Sequence, residues 1–314
     1  MVQYIARRLL LAVPLLFGLS ILAFAYVRVI PGDPVTAMLG VNSDPELVAR
    51  LRDQLGLNEP WYQQYTSWLG NVVTGDFGLS YRSRMPVSDI LIDRIPATLE
   101  LALGGLLVGL LIAIPAGLYA GFRRGSRADN VITGATLVGL ATPGFWLGTL
   151  LMLLLALQLG WLPSQGYVPF DVDPGQNLRL LVLPALTLGL AIAPYLARLT
   201  RTAVVETGGE PSVAYARAQG LPERTVARTV VLRISIPSLI VAVALTVGFL
   251  LAGSIIVEEL FNWPGMGRLV AAGVSERDYP MIQALMLIYG VIFIVVNVIA
   301  EVLQGLMDPR VRLT

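Results

Sequence analysis

The stretch ISIPSLIVAVALTVGFLLAGSIIV, residues 234–257, contains no charged side chain. A helix rises about 1.5 Å per residue, so a run of this length crosses the roughly 30 Å hydrocarbon core of a bilayer. Five further stretches qualify on the same grounds: Leu9–Val27, Leu101–Ala120, Val131–Leu159, Leu180–Ala197 and Met281–Ala300. The reading is an all-α membrane protein with six transmembrane helices. Val131–Leu159 is the longest and holds Pro143-Gly144 near its middle, which predicts a kink because proline removes a ladder hydrogen bond. Leu9–Val27 follows Arg7-Arg8 and contains Ala23-Phe24-Ala25, a pattern shared with signal-peptide cleavage sites. Its apolar run is longer than a signal core and five more spans follow, so a retained first helix is expected.

Composition agrees with lipid as the solvent. The chain has 314 residues, 55% of them hydrophobic and 14% charged, against about 25% charged in soluble domains. Mean hydropathy is +0.72. The 22 basic residues are all Arg, and Lys, His and Cys do not occur. Without Lys there is no phosphate-loop lysine and no Schiff base. Without His and Cys the usual zinc sites, a Ser-His-Asp triad, a thiol nucleophile and a disulfide are all excluded. A net charge of +1 gives no case for nucleic acid.

Charge is also missing where an ion-coupled carrier needs it. No Asp, Glu or Arg falls inside the six spans; Glu100 and Glu301 only flank them. Ion relays depend on intramembrane ionisable groups, so the driving force is expected from another subunit, with a sodium site built from carbonyls as the open alternative. The pair Glu258-Glu259 at a span end reads as a solvated edge.

The positive-inside rule fixes an expected orientation with both termini cytoplasmic. Most of the 22 Arg then lie inside: Arg7, Arg8, Arg123, Arg124, Arg127, Arg198, Arg201, Arg217, Arg224, Arg228, Arg233, Arg310 and Arg312. The corresponding division is 1–30 for the N-terminus and first helix, and 31–96 for an extracytoplasmic loop with two short helices. A five-helix core follows at 97–307, including the segment 198–233, and 308–314 form a cytoplasmic tail.

In the long outer loop, Pro31-Gly32-Asp33-Pro34 cannot continue a helix. Ser43 or Asp44 then caps a helix carrying Leu47, Val48, Leu51 and Leu55, which Gly56 ends. A second helix starts near Asn58-Glu59-Pro60 and puts Trp61, Tyr65, Trp68 and Val72 on one side, for a headgroup layer, a partner or the subunit itself. Gly75-Asp76-Phe77-Gly78 makes a turn. Gly160–Arg179 reads as irregular coil, and Arg268–Val274 as one or two helical turns after the turn at Phe261–Gly267. Inside, Arg198–Arg233 reads as a loop with a short helix, a turn at Gly220 in the left-handed region, and a second helix from Pro222 carrying Val226, Val230 and Arg233. Such a segment suits either a mechanical lever or a solvated basic connector.

These strings, in order, resemble the permeases of dipeptide/oligopeptide-type ABC importers, the binding-protein-dependent transport inner membrane components. The resemblance covers essentially the whole chain. It rests on Tyr4-Ile5-Ala6-Arg7-Arg8, Pro31-Gly32-Asp33-Pro34, Gly75-Asp76-Phe77-Gly78-Leu79-Ser80, Gly160-Trp161-Leu162-Pro163 and Leu183-Pro184-Ala185-Leu186-Thr187-Leu188-Gly189. It continues through Arg198-Leu199-Thr200-Arg201, Ala216-Arg217-Ala218-Gln219-Gly220-Leu221, Phe261-Asn262-Trp263-Pro264-Gly265-Met266-Gly267, Arg277-Asp278-Tyr279-Pro280 and Asp308-Pro309-Arg310. Each is weak alone; their order and spacing are specific.

The resemblance implies a type I importer fold in the cell membrane and a second, homologous permease subunit. It also implies two cytoplasmic ATPase subunits, an extracytoplasmic solute-binding protein, and no catalysis by this chain. No cofactor belongs to this chain, because ATP and Mg are bound by the partner subunits. Ala216, Arg217, Ala218, Gln219, Gly220 and Leu221 correspond to the family's ATPase-coupling helix. Two departures stand out. Glu210-Pro211-Ser212-Val213-Ala214-Tyr215 replaces an acidic residue followed by Tyr-Val-Arg-Thr, and Leu232-Arg233-Ile234-Ser235-Ile236-Pro237 stands where an Asn-Ala pair is common. The expected solute is a short peptide, with glutathione, a nickel chelate or an oligosaccharide as alternatives within the family. A stand-alone channel or secondary carrier is the alternative outside it.

Overall fold

The computed structural model describes residues 2–29, 35, 44–54 and 56–307. Pro31-Gly32-Asp33-Pro34, Ser43, Leu55, Asp308-Pro309-Arg310 and the tail 308–314 lie outside the described residues. The described elements are α1 (Val2–Val29), α2 (Pro45–Gln54), α3 (Trp61–Val73), α4 (Val87–Phe122), α5 (Arg127–Ala141) and α6 (Gly144–Leu151), which runs on as a π-helix over Met152–Gln158. After them come α7 (Pro174–Gly208), α8 (Pro211–Ala218), α9 (Glu223–Val226, then π-helical over Ala227–Val231), α10 (Leu232–Leu260), α11 (Met266–Glu276) and α12 (Tyr279–Met307). Among the described residues five helices are long and apolar enough to cross a membrane, or six if the bent pair α5 and α6 is one span.

That pair bends by 100°, far more than the kink expected at Pro143. A residue before proline is held out of the helical region, and Thr142 accordingly sits at φ −84°, ψ 121°. The Thr142 hydroxyl turns back to donate to the Val138 carbonyl at 2.8 Å. Gly139 lets the turn close on α7, because a Cβ there would stand 2.4 Å from Cγ of Pro194.

The chain divides into two compact units. The first comprises residues 1–5, 99–263 and 295–314; the second comprises 6–98 and 264–294. In the first, α7 is central: 61% of its most apolar stretch is buried, against 39% for the helix running through α9 and α10. It packs against α10, α5 and α6. Against α4 the approach is closest. A Cβ at Gly105, Gly109, Gly117 or Gly121 would lie 2.5–2.8 Å from Leu188, Ile192, Thr200 or Val204. Small residues on one helix thus seat a ridge of larger ones on the other, the arrangement by which helices associate where lipid supplies no hydrophobic drive.

Three sequence boundaries move. α7 begins at Pro174 with Asp173 as its cap (Gln176 N–H to Oδ1, 3.0 Å), so the outer coil is shorter than Gly160–Arg179. It also runs on through Arg198 to Gly208, so the inner segment opens as helix, not loop. α11 has 11 residues, longer than one or two turns. Glu258 is 0% exposed and not a solvated edge, because its helix face turns into the packed first unit beside buried Val257, while Glu259 is exposed.

In the second unit Val87, Leu91, Met266, Met281, Ala284 and Leu285 form the core. The aromatic side of α3 rests on α1: Tyr65 and Trp68 lie 5.2 and 5.6 Å from the Phe24 ring, and Ser20 and Tyr65 share a 2.8 Å hydrogen bond. Asp44 caps α2 through the Glu46 N–H, and Gly56 past its end has φ +64°. Asp278, 3% exposed, precedes α12 and accepts from the Tyr81 N–H at 3.1 Å and from the Ser80 hydroxyl. That explains the Gly75–Ser80 and Arg277–Pro280 strings physically, since one carboxylate joins them.

Candidate coupling site

Pro211 starts α8, and eight residues later the helix has ended. Gly220 follows with φ +77°, where side chains other than Gly are strained, and its N–H donates to the Arg217 carbonyl at 2.9 Å. Leu221 N–H bonds back to the Ala216 carbonyl at 3.4 Å. Pro222 then caps α9, which passes through its π-helical turn into α10. Helix, tight glycine turn and second helix therefore make a folded-back hairpin.

The six singled-out residues divide by the way they face. Ala216 is 6% exposed and, with Val213, joins Val204 of α7 and Val226 and Val231 of the returning helix in a small apolar core. Arg217, Ala218, Gln219, Gly220 and Leu221 are all exposed. Arg217 bridges the two arms through Glu223 (Nε–Oε1 2.8 Å, Nη2–Oε2 3.3 Å). The tip of the hairpin is thus bare, while its base is packed.

What holds the base was not legible as a site. Arg201 on α7 grips Asp129 at the start of α5 by two bonds, Nε–Oδ1 2.5 Å and Nη2–Oδ2 2.8 Å. The same carboxylate takes the Gly125 N–H at 2.9 Å, so the 123–127 turn is tied in. On α10, Ser235 reaches Thr207 Oγ1 at 3.1 Å and donates to the Val231 carbonyl at 2.9 Å. Ser235 lies in the string where the chain departs from the resembled pattern. A Ser four residues beyond a helix turn carries no signal by itself; only its pairing with Thr207 gives it a role.

Residues 113–313 match the model of the binding-protein-dependent transport system inner membrane component, and residues 1–102 match the model of its N-terminal part. The chain belongs to this family.

It is a permease component of an ABC importer and a multi-pass membrane protein, in a family that works with ATPase and binding-protein partners. The permease is 38% identical over 312 residues to the glutathione transport system permease protein GsiC of Escherichia coli (strain K12), with 99% of each chain covered. It is 37% identical over 319 residues to the oligopeptide transport system permease protein AppB of Bacillus subtilis (strain 168), covering 99% of this chain and 100% of AppB. Among solved structures, an inward-facing form of the MetNI methionine ABC transporter aligns with TM-score 0.59 and 16% identity, covering 70% of this chain and 96% of that one. A second crystal form of that transporter gives 0.56 at 18% identity over 70% and 96%. Both likenesses bear on the fold of the permease alone.

Proposed function

We propose that this permease carries short peptides into the cytoplasm, as one of two homologous membrane subunits driven by two ATPases on its Arg-rich face. The observation that supports this most directly is the hairpin. A lever has to be stiff where it joins the load and free where it is pushed, and residues 217–221 are exposed on a base held by Val213, Ala216, Val226 and Val231. ATP and Mg are held by the ATPases and this chain contributes no cofactor or catalytic group. Closure of the ATPases around residues 216–221 would move α7 and α10 together, because Val213 and Ala216 of the hairpin pack on Val204 of α7, the returning helix runs on into α10, and Ser235 of α10 holds Thr207 of α7.

In this reading α5 and α6 count as one broken span, giving six. Both termini are cytoplasmic, residues 31–96 face outward, 97–307 form the core and 308–314 the tail. The peptide solute follows from the relatives, an oligopeptide permease at 37% and a glutathione permease at 38% identity. Glutathione is itself a small peptide, and it is the second reading. The test is reconstitution with the cognate second permease, ATPases and binding protein in vesicles. ATP-dependent accumulation of labelled tripeptide is expected. Because the chain has no Cys, Gln219→Cys offers a single thiol, and its cross-linking to an ATPase is expected. Accumulation without any ATPase, or no cross-link in an active complex, would overturn the proposal.

A further inference from the structure

A cavity lies wholly within the second unit. Its volume is about 890 Å³, within the 300–1,000 Å³ usual for small-ligand sites. Its walls come from the end of α1, from α2 and α3, from the turn at Asp76–Gly78 and from the start of α12. What lines it is of both signs. Arg28 offers a guanidinium that is already positioned: it stacks 3.4 Å above the Phe24 ring, donates to the Phe24 carbonyl at 3.0 Å and donates to Gln64 Oε1 at 2.5 Å. A fork so held loses little freedom on meeting a carboxylate. Glu59 and Asp76 line the same cavity, and Asp76 is fixed by the Gly78 N–H at 2.8 Å. Arg52 is a second cation in the lining, and apolar and aromatic side chains, Trp68 and Tyr81 among them, line the same cavity.

A wall with a fixed cation at Arg28, a fixed anion at Asp76 and aromatic surface suits a zwitterion with apolar side chains. A purely anionic or purely apolar molecule would leave one set of charges unanswered in a partly enclosed site, which is unfavourable. We propose that this cavity is a receiving site for short, free-ended peptides on the permease itself, with the C-terminal carboxylate at Arg28 and the N-terminal ammonium at Asp76. The proposal rests on the peptide reading of the solute. It adds that recognition is shared between the binding protein and the second unit, where the uncharged spans offer no partner for either end of a peptide.

The experiment uses the assembled importer in lipid nanodiscs without its binding protein, and measures equilibrium binding of labelled trialanine. Saturable binding is expected, with no competition from N-acetyl-trialanine amide, whose ends carry no charge. Arg28→Gln and Asp76→Asn should each weaken binding about tenfold, the loss of one charge-assisted contact. Asp76→Asn keeps the oxygen that receives the Gly78 N–H, so it tests charge without disturbing the turn. Equal competition by the capped peptide, unchanged affinity in both variants, or absence of saturable binding would each overturn the proposal. So would displacement of trialanine from wild type by short-chain phosphatidylethanolamine with unchanged affinity in the variants, which would mark a headgroup site elsewhere. Uptake by the complete importer separates the two readings. Peptide uptake without cavity binding refutes this site alone, whereas failure to take up any peptide refutes the solute.

Discussion

Arg201 holds Asp129 through two parallel bonds, and Asp129 is 2% exposed. The pair ties the start of α5 to the α7 turn that leads directly into the coupling hairpin. It is a fixed joint.

Removing one partner of such a pair strands the other. Asp129→Ala should destabilise the permease by about 3 kcal/mol, near the lower end for a buried pair because Arg201 keeps 28% exposure. Unfolding of the purified protein in detergent, followed with denaturant, measures this. The double variant Asp129→Ala with Arg201→Ala should recover part of the loss, since no charge is left unpaired. Equal stability of the single variant and wild type would show that the joint carries no load.

Gly220 should be the residue at which coupling fails without loss of fold. Nothing lies within 4 Å of a Cβ added there, so the cost of Gly220→Val is backbone strain alone, about 1–2 kcal/mol. The expected result in vesicles is continued ATP hydrolysis with uptake reduced. Gly220→Asn, which tolerates the left-handed region, should retain more uptake than Gly220→Val. Identical coupled uptake in all three would remove the hairpin from the mechanism.

The α4–α7 seam gives a sharper steric test. At Gly117 an added Cβ would stand 2.5 Å from Thr200 Cβ and 2.6 Å from the Ala197 carbonyl oxygen, both on the α7 backbone side. Gly117→Ala should therefore cost about 1–3 kcal/mol. Gly134→Ala, with open space around it, should be neutral or stabilising by up to about 1 kcal/mol. Thermal unfolding midpoints of the two variants should move in different directions or by clearly different amounts.

Asp278 is expected to hold the second unit's turn and helix together. Asp278→Ala removes the acceptor for Ser80 and for the Tyr81 N–H and takes away the side chain preceding α12. A loss of about 2 kcal/mol is expected from the cap and the stranded donor together. Hydrogen exchange should quicken at the Tyr81 and Met281 amides while the first unit is unchanged.

The sequence was most readable where one local rule decides. Gly220, Gly56 and the Pro60, Pro211 and Pro222 starts all behave as turn chemistry dictates. It was least readable where a distant partner decides. Arg198–Gly208 looks like a loop because it is polar, yet Thr200 and Val204 fit against glycines of α4 and Arg201 finds Asp129, so the helix continues. Glu258 looks solvated by its charge and is buried by the packing of α10. Pro143 announces a bend, but its size depends on Pro194 filling the space that Gly139 leaves. At the hairpin, the turn at Gly220 follows from sequence; the valine core and the Ser235–Thr207 contact need three dimensions.

The sharp corner at Thr142-Pro143 also constrains the company this subunit keeps. A corner interrupts the ladder of main-chain bonds, and hydrocarbon offers no substitute for the ones that are lost. Thr142 restores two of them, through its hydroxyl to Val138 and its N–H to Gly139. The carbonyls left over at the end of α5 must meet moisture or a neighbouring polypeptide, never fatty acyl chains. Wherever those carbonyls are not met by the α7 side of the corner, a copy wrapped only in lipid would be poorly solvated there.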